Sequence, residues 1–254
     1  MSGVITPETI TTGDGCRIAY RFDGPEDAPV LLLSNSLGTD RDMWSPQMAA
    51  FAERFRVLRY DTRGHGQSDA PAGLYSLDRM GRDIIELLDA LGLESVDFCG
   101  LSLGGMMGQW LGIHAPDRVR RIVLANTSSY MGPPANWDAR IATVKAQGMA
   151  PLAEASAERW FSASFRETGG DAIAPIVATL LKTDPAGYAG ACGAAAPAQT
   201  RRDARTAPAR ARQIVRAIRA PDRFIDSPLG VAPHATAGNA PAPPGGRAGA
   251  LCLV

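Results

Sequence analysis

The sequence predicts an α/β fold with a mostly parallel, doubly wound sheet, on three observations. Short apolar runs recur at 30–36 ("VLLLSNS"), 55–61 ("FRVLRYD"), 96–101 and 119–126 ("VRRIVLAN"), as in strands buried on both faces. Segments with apolar residues at helical spacing separate the later strands, and strand–helix alternation builds parallel sheets. A block without strand signal follows, over 127–190, where a helical lid is expected.

Taken in order, residues 8–22 alternate around the turn signal Gly13-Asp14-Gly15 and predict an opening hairpin. "SLDRMGRDIIELLDALGL", 76–93, is amphipathic at helical spacing, with Ser76 as N-cap. A strand over 96–101 leads into a helix over about 103–115 and then the strand at 119–126. Within 127–190, "NWDARIATVKAQGM", "PLAEASAERWF" and "DAIAPIVATLLKTD" predict three short amphipathic helices carrying Trp137 and Trp160. The chain thus divides into a core over 1–126, a lid over 127–190 and a tail over 191–254.

The tail differs in kind. Its nine arginines against three aspartates, with no lysine or glutamate, make it +6, which leaves −6 on residues 1–190 and zero overall. Ala, Pro, Gly and Arg fill 41 of its 64 positions, and Ile, Leu, Val and Phe only ten. Little apolar surface is available there to offset ordering entropy, so the expectation is a disordered segment. Codons of G and C alone encode only those four residues, so the preferred account is GC-rich DNA read out of frame from near residue 191, with a genuine disordered tail as the alternative. On either reading the C-terminal strands are missing, and the strand at 119–126 presents an exposed edge.

A neutral chain with a pI near 6.8 carries no overall signal for nucleic acid. No apolar run approaches the ~18 residues of a membrane span. The start, "MSGVITPETI", has no basic segment leading into an apolar one. Cys16, Cys99, Cys192 and Cys252 have neither metal-site nor disulfide spacing. A cytoplasmic protein with reduced thiols and no metal is expected.

Chemistry enters at Gly100-Leu101-Ser102-Leu103-Gly104, a G-x-S-x-G pattern between a predicted strand and a predicted helix. A serine at the apex of so tight a turn needs neighbours without side chains. The helix behind it aims free N–H groups and a positive dipole end at the site, which favours an oxyanion. "SNSLGTDRDMW", 34–44, leaves another strand and is expected to supply a second donor, so the backbone N–H groups of Leu37 and Leu103 form the predicted oxyanion hole. In "YDTRGHGQSD", 60–69, Asp61 and Arg63 are read as fixing the loop rather than as catalysts.

These phrases, with "CGLSLGGMMGQWLG", "AERWF" and "LLKTDPAGYAG", resemble the compact α/β-hydrolases that include 3-oxoadipate enol-lactonase and the cofactor-free haloperoxidases. The likeness is greatest to the enol-lactonases and spans roughly residues 10 to 190. It implies the α/β-hydrolase fold and hydrolysis of a small lactone bearing a carboxylate, without metal or organic cofactor, in the aromatic degradation route through 3-oxoadipate. Ser102 would attack the lactone carbonyl and pass through an acyl-enzyme. Arg140 or Lys182 would meet the substrate carboxylate, and Trp137 and Trp160 would line the pocket. A general carboxylesterase or haloperoxidase-like hydrolase is the alternative.

The family orders its triad as serine, acid, histidine, with an Ala-Gly-x-x-Asp phrase for the acid, and that phrase is absent here. His65 precedes Ser102, and His114 falls in the last turn of the elbow helix, so both are read as structural. His234 is the remaining candidate base, and Asp203, Asp222 and Asp226 are weaker candidates for the acid. A hydrolase-like binding protein without catalysis is therefore a third reading.

Overall fold

A computed structural model describes residues 8–195 and, as backbone, Ala250–Leu251. The opening hairpin forms as expected. Strands β1 (Glu8–Thr11) and β2 (Arg17–Asp23) pair antiparallel across the Gly13–Gly15 turn. Then come β3 (Val30–Ser34), the short helix α1 (Met48–Ala52) and β4 (Arg56–Tyr60). Helix α2 (Leu77–Ala90), β5 (Val96–Leu101), α3 (Leu103–His114) and β6 (Val119–Ala125) complete the core. The sheet runs β1-β2-β4-β3-β5-β6, and a two-residue strand, β7 (Ala250–Leu251), follows β6. From β4 onward every pairing is parallel, while β2 joins β4 antiparallel.

Local chemistry explains α2. The Ser76 hydroxyl accepts the Arg79 N–H at 3.0 Å, which satisfies one free donor of the first turn. Leu77, Met80, Ile84, Leu87 and Leu88 are all buried, a stripe three and four residues apart. Each such side chain is worth ~1.5–3 kcal/mol on full burial. Helix α3 is buried on almost every side, so no amphipathic stripe marks it.

Strand order positions the site. The chain leaves β3 towards β4 on one side, and β5 then pairs on the other, so β3 and β5 meet where the winding reverses. Ligands of open α/β sheets bind outside the carboxyl ends of strands at such a point. Ser34 and Gly100 are partners in that register, so the loops carrying Leu37 and Ser102 leave adjacent strand ends.

Among the described residues, five α-helices, not three, follow β6: α4 (Pro134–Gln147), α5 (Ala153–Trp160), α6 (Ala163–Thr168), α7 (Gly170–Lys182) and α8 (Pro185–Ala195). Helix α8 crosses the composition break at 190 and 191 without interruption, and Tyr188, Ala191, Cys192, Ala194 and Ala195 are buried in it. It packs on α4 and α2, and a small-residue helix with no polar face gives periodicity nothing to detect. The edge of β6 is also not bare throughout, because Ile122 and Val123 pair with Ala250 and Leu251. The rest of the tail, including the helix expected over 211–220, lies outside the described residues.

Candidate active site

Ser102 joins β5 to α3 with φ 55, in the left-handed region that a serine rarely occupies. Its N–H donates to the Ala125 carbonyl at 2.9 Å, and its carbonyl accepts the Thr127 hydroxyl at 2.7 Å. The strain is held by those bonds and by crowding, as at many functional turns. A Cβ on Gly100 would overlap the Gly104 carbonyl, and one on Gly104 would overlap the Ser34 carbonyl. Only hydrogen fits at either place.

The two loops are tied together. Gly104 donates its N–H to the Asn35 carbonyl at 3.0 Å. The Asn35 side chain accepts from Trp44 Nε1 at 2.9 Å and donates to the Tyr60 carbonyl at 2.8 Å. Leu37, Ser102 and Leu103 line one cavity of about 180 Å³. Among the described residues, the N–H groups of Leu37 and Leu103 have no acceptor, as an oxyanion hole requires.

Trp137, Arg140 and Trp160 line the same cavity, so the expected pocket residues meet Ser102. Arg140 stacks over the Trp137 ring at 5.0 Å, and Trp137 Nε1 donates to the Met131 carbonyl at 3.1 Å. Sequence reasoning missed Arg159 and Tyr188, which also line it. The adjacency of Arg159 to Trp160 was the available signal. Burial and the nearby Arg140 charge hold the Arg159 pKa below its ordinary value, so the two guanidiniums feel one another. No carboxylate is among the lining residues, and the described part of the cavity is therefore cationic.

Lys182 is a correction. It lines a separate cavity of about 390 Å³ with Arg41, Asp61 and His65, because the end of α7 faces the loop after β4 and not the elbow. Asp61 and Arg63 do fix their loop, but with different partners. The Asp61 carboxylate accepts the N–H groups of Arg41 at 2.8 Å and Gln67 at 2.9 Å. Arg63 grips Asp83 at 2.5 and 2.6 Å and Asp14 at 2.9 Å, which clamps the β1–β2 turn to α2.

Neither described histidine lines the Ser102 cavity. His65 is buried and its pKa is pushed down to about 4 by desolvation, so the ring is neutral at pH 7. Its Nε2 accepts the Gly38 N–H at 3.0 Å, and its Nδ1 donates to the Arg63 carbonyl at 3.2 Å. His114 stands on the last turn of α3 beside Trp110, with ring centroids 4.9 Å apart. His234, Asp203, Asp222 and Asp226 lie outside the described residues. Among the described residues, no cluster of three or more His, Cys, Asp or Glu side chains is placed to hold a metal, and no helix is long and apolar enough to cross a membrane.

The family profile of the alpha/beta hydrolase fold matches residues 29–177. A 3-oxoadipate enol-lactonase of Acinetobacter baylyi is 41% identical over 194 residues, 76% of this chain and 72% of that protein. The crystal structure of the enol-lactonase from Burkholderia xenovorans superposes with a TM-score of 0.77 at 38% identity, covering 84% of this chain and 88% of that one. A hydrolase from Pseudomonas aeruginosa gives a TM-score of 0.77 at 44% identity, over 81% and 78% of the two chains. These likenesses agree with the strained elbow, the crowded glycines and the mixed sheet: the chain belongs to the α/β-hydrolase family.

Proposed function

We propose that this chain hydrolyses a small lactone bearing a carboxylate, 3-oxoadipate enol-lactone in the first instance, with Ser102 as nucleophile. The observation that carries this reading is the meeting of Ser102, Arg140 and Arg159 on one small cavity that no described carboxylate lines. Arginine binds carboxylates through a planar fork, and two such groups favour an anionic substrate over a neutral one. The 41% identity to an enol-lactonase supports the same choice.

Ser102 Oγ adds to the lactone carbonyl as its proton passes to a base. The Leu37 and Leu103 N–H groups receive the oxyanion, each donor being worth ~3 kcal/mol in the transition state. Collapse breaks the ring C–O bond and leaves an acyl-enzyme, which water then hydrolyses to the open product. We assign the base to His234, because in this family the histidine follows the nucleophile in chain order. The substrate is a free small molecule and the setting cytoplasmic; no nucleic acid or cofactor takes part.

One observation favours a second reading, a binding protein without catalysis: neither described histidine reaches the cavity of Ser102. A fluorophosphonate probe separates the two, since rapid labelling needs a serine activated by a base. The expected result is labelling and enol-lactone turnover in the parent and neither in Ser102→Ala. Equal labelling of both proteins would remove Ser102 from the mechanism. An unlabelled, inactive parent would reject the catalytic reading in favour of the binding one. Faster turnover of p-nitrophenyl acetate than of the enol-lactone would favour a general esterase.

A further inference from the structure

The loop after β3 holds the first oxyanion donor in a turn whose shape is set from outside the loop. Thr39 donates its N–H to the Ser36 carbonyl at 3.3 Å, so Leu37 and Gly38 are the two central residues of a β-turn. Gly38 has φ 81, the left-handed value that a type II turn requires at its second central position. Types I and II differ by a flip of the peptide between those two residues, here Leu37–Gly38. That peptide presents its N–H to His65 Nε2 at 3.0 Å. The imidazole is itself oriented by the Arg63 carbonyl at 3.2 Å on Nδ1, and its ring lies 6.4 Å from that of Tyr188 in the cavity wall. Leu180 and Tyr188 close over Gly38 so tightly that a Cβ there would strike both.

We infer that His65 is a positioning residue for hydrolysis. As a hydrogen-bond acceptor for the Gly38 N–H, it fixes the Leu37–Gly38 peptide in the type II orientation and so holds in place the backbone of Leu37, whose own N–H, on the preceding Ser36–Leu37 peptide, is the oxyanion donor. This rests on reading Leu37 as an oxyanion donor. His65 touches no substrate; it acts through the turn. Because its ring stays neutral at pH 7, the acceptor is present throughout the ordinary working range.

The test compares His65→Phe, which keeps the ring volume and loses the acceptor, with His65→Gln, whose side-chain carbonyl can accept the same N–H. Turnover of p-nitrophenyl acetate is measured well below each variant's thermal transition. His65→Phe is expected to lose ~10- to 100-fold in kcat, with KM changed less than about twofold, the signature of a lost transition-state interaction. His65→Gln should recover most of that loss. Parental kcat in folded His65→Phe overturns the inference, and so does a His65→Gln as slow as His65→Phe.

NMR of the parent gives a readout that needs no activity. The imidazole proton is expected on Nδ1, and the Leu37 and Gly38 amide signals should shift in His65→Phe but hold in His65→Gln. A proton on Nε2, or unmoved amides, overturns the clamp even if the parent hydrolyses nothing. An inactive parent with the expected spectra keeps the clamp and rejects the hydrolase reading.

Discussion

Arg63 and the Arg140–Arg159 pair are arginines under opposite conditions. Arg63 is buried between two carboxylates, and both prongs of its fork are engaged by Asp83 and Asp14. Arg140 and Arg159 face each other's charge across a cavity, and among the described residues neither has an acidic partner. A paired, buried guanidinium is part of the scaffold. A guanidinium without an acidic partner beside a strained serine is, on the proposed function, part of a site, because its counter-charge would arrive with the ligand.

The largest expected effect tests the scaffold side. Arg63→Ala leaves the buried Asp83 carboxylate with only the more exposed Arg79, at 3.2 Å, as partner and should cost about 3 kcal/mol in denaturant unfolding. A cost below about 1 kcal/mol would mean that water reaches the pair.

His65 comes next, a buried titratable group with backbone partners and no counter-charge. Its folded pKa of about 4 lies below the ordinary 6.5, so the unfolded chain takes up the proton first as pH falls. Its stability contribution is complete above about pH 6.5 and is lost on descending towards 4, about 3 kcal/mol in all. Urea titrations at pH 7, 5.5 and 4.5 should show that slope, and His65→Phe should lack it.

The site side is tested by Arg140→Ala and Arg159→Ala. Each should raise KM for a carboxylate-bearing ester ~10-fold, leave a neutral acetate ester nearly unchanged, and leave stability unchanged or slightly improved as repulsion is relieved. An equal loss on both esters would make these arginines general packing residues. The smallest effect belongs to the exposed i,i+4 pair Arg82–Asp78, where Arg82→Ala should cost no more than ~0.5 kcal/mol.

What could be read from the chain divides along the same line. The elbow was legible because its requirements are local. Gly100 and Gly104 lie within two residues of Ser102, and Gly100 is crowded by the Gly104 carbonyl of the same turn, although what crowds Gly104 is the Ser34 carbonyl on the neighbouring strand. The hairpin at Gly13–Gly15 and the Ser76 cap were legible for the same reason. Arg159 and Tyr188 were not. Arg159 is marked only by its neighbour Trp160, and Tyr188 among alanines and glycines carries no local mark of the cavity it faces. Helix α8 was cut at residue 190 because composition changes there, although its buried residues run to Ala195.

The sequence by itself determined the class of fold, the position of the strained turn at Ser102 and the loop after β3 that carries Leu37, since strands, tight turns and caps are decided by neighbours in the chain. Only the tertiary structure decided that Arg140 and Arg159 share the cavity of Ser102, that Lys182 does not, and that His65 holds Gly38 across 27 residues. Charges acquire a role from what they face, and which faces meet is settled when the helices pack on the sheet.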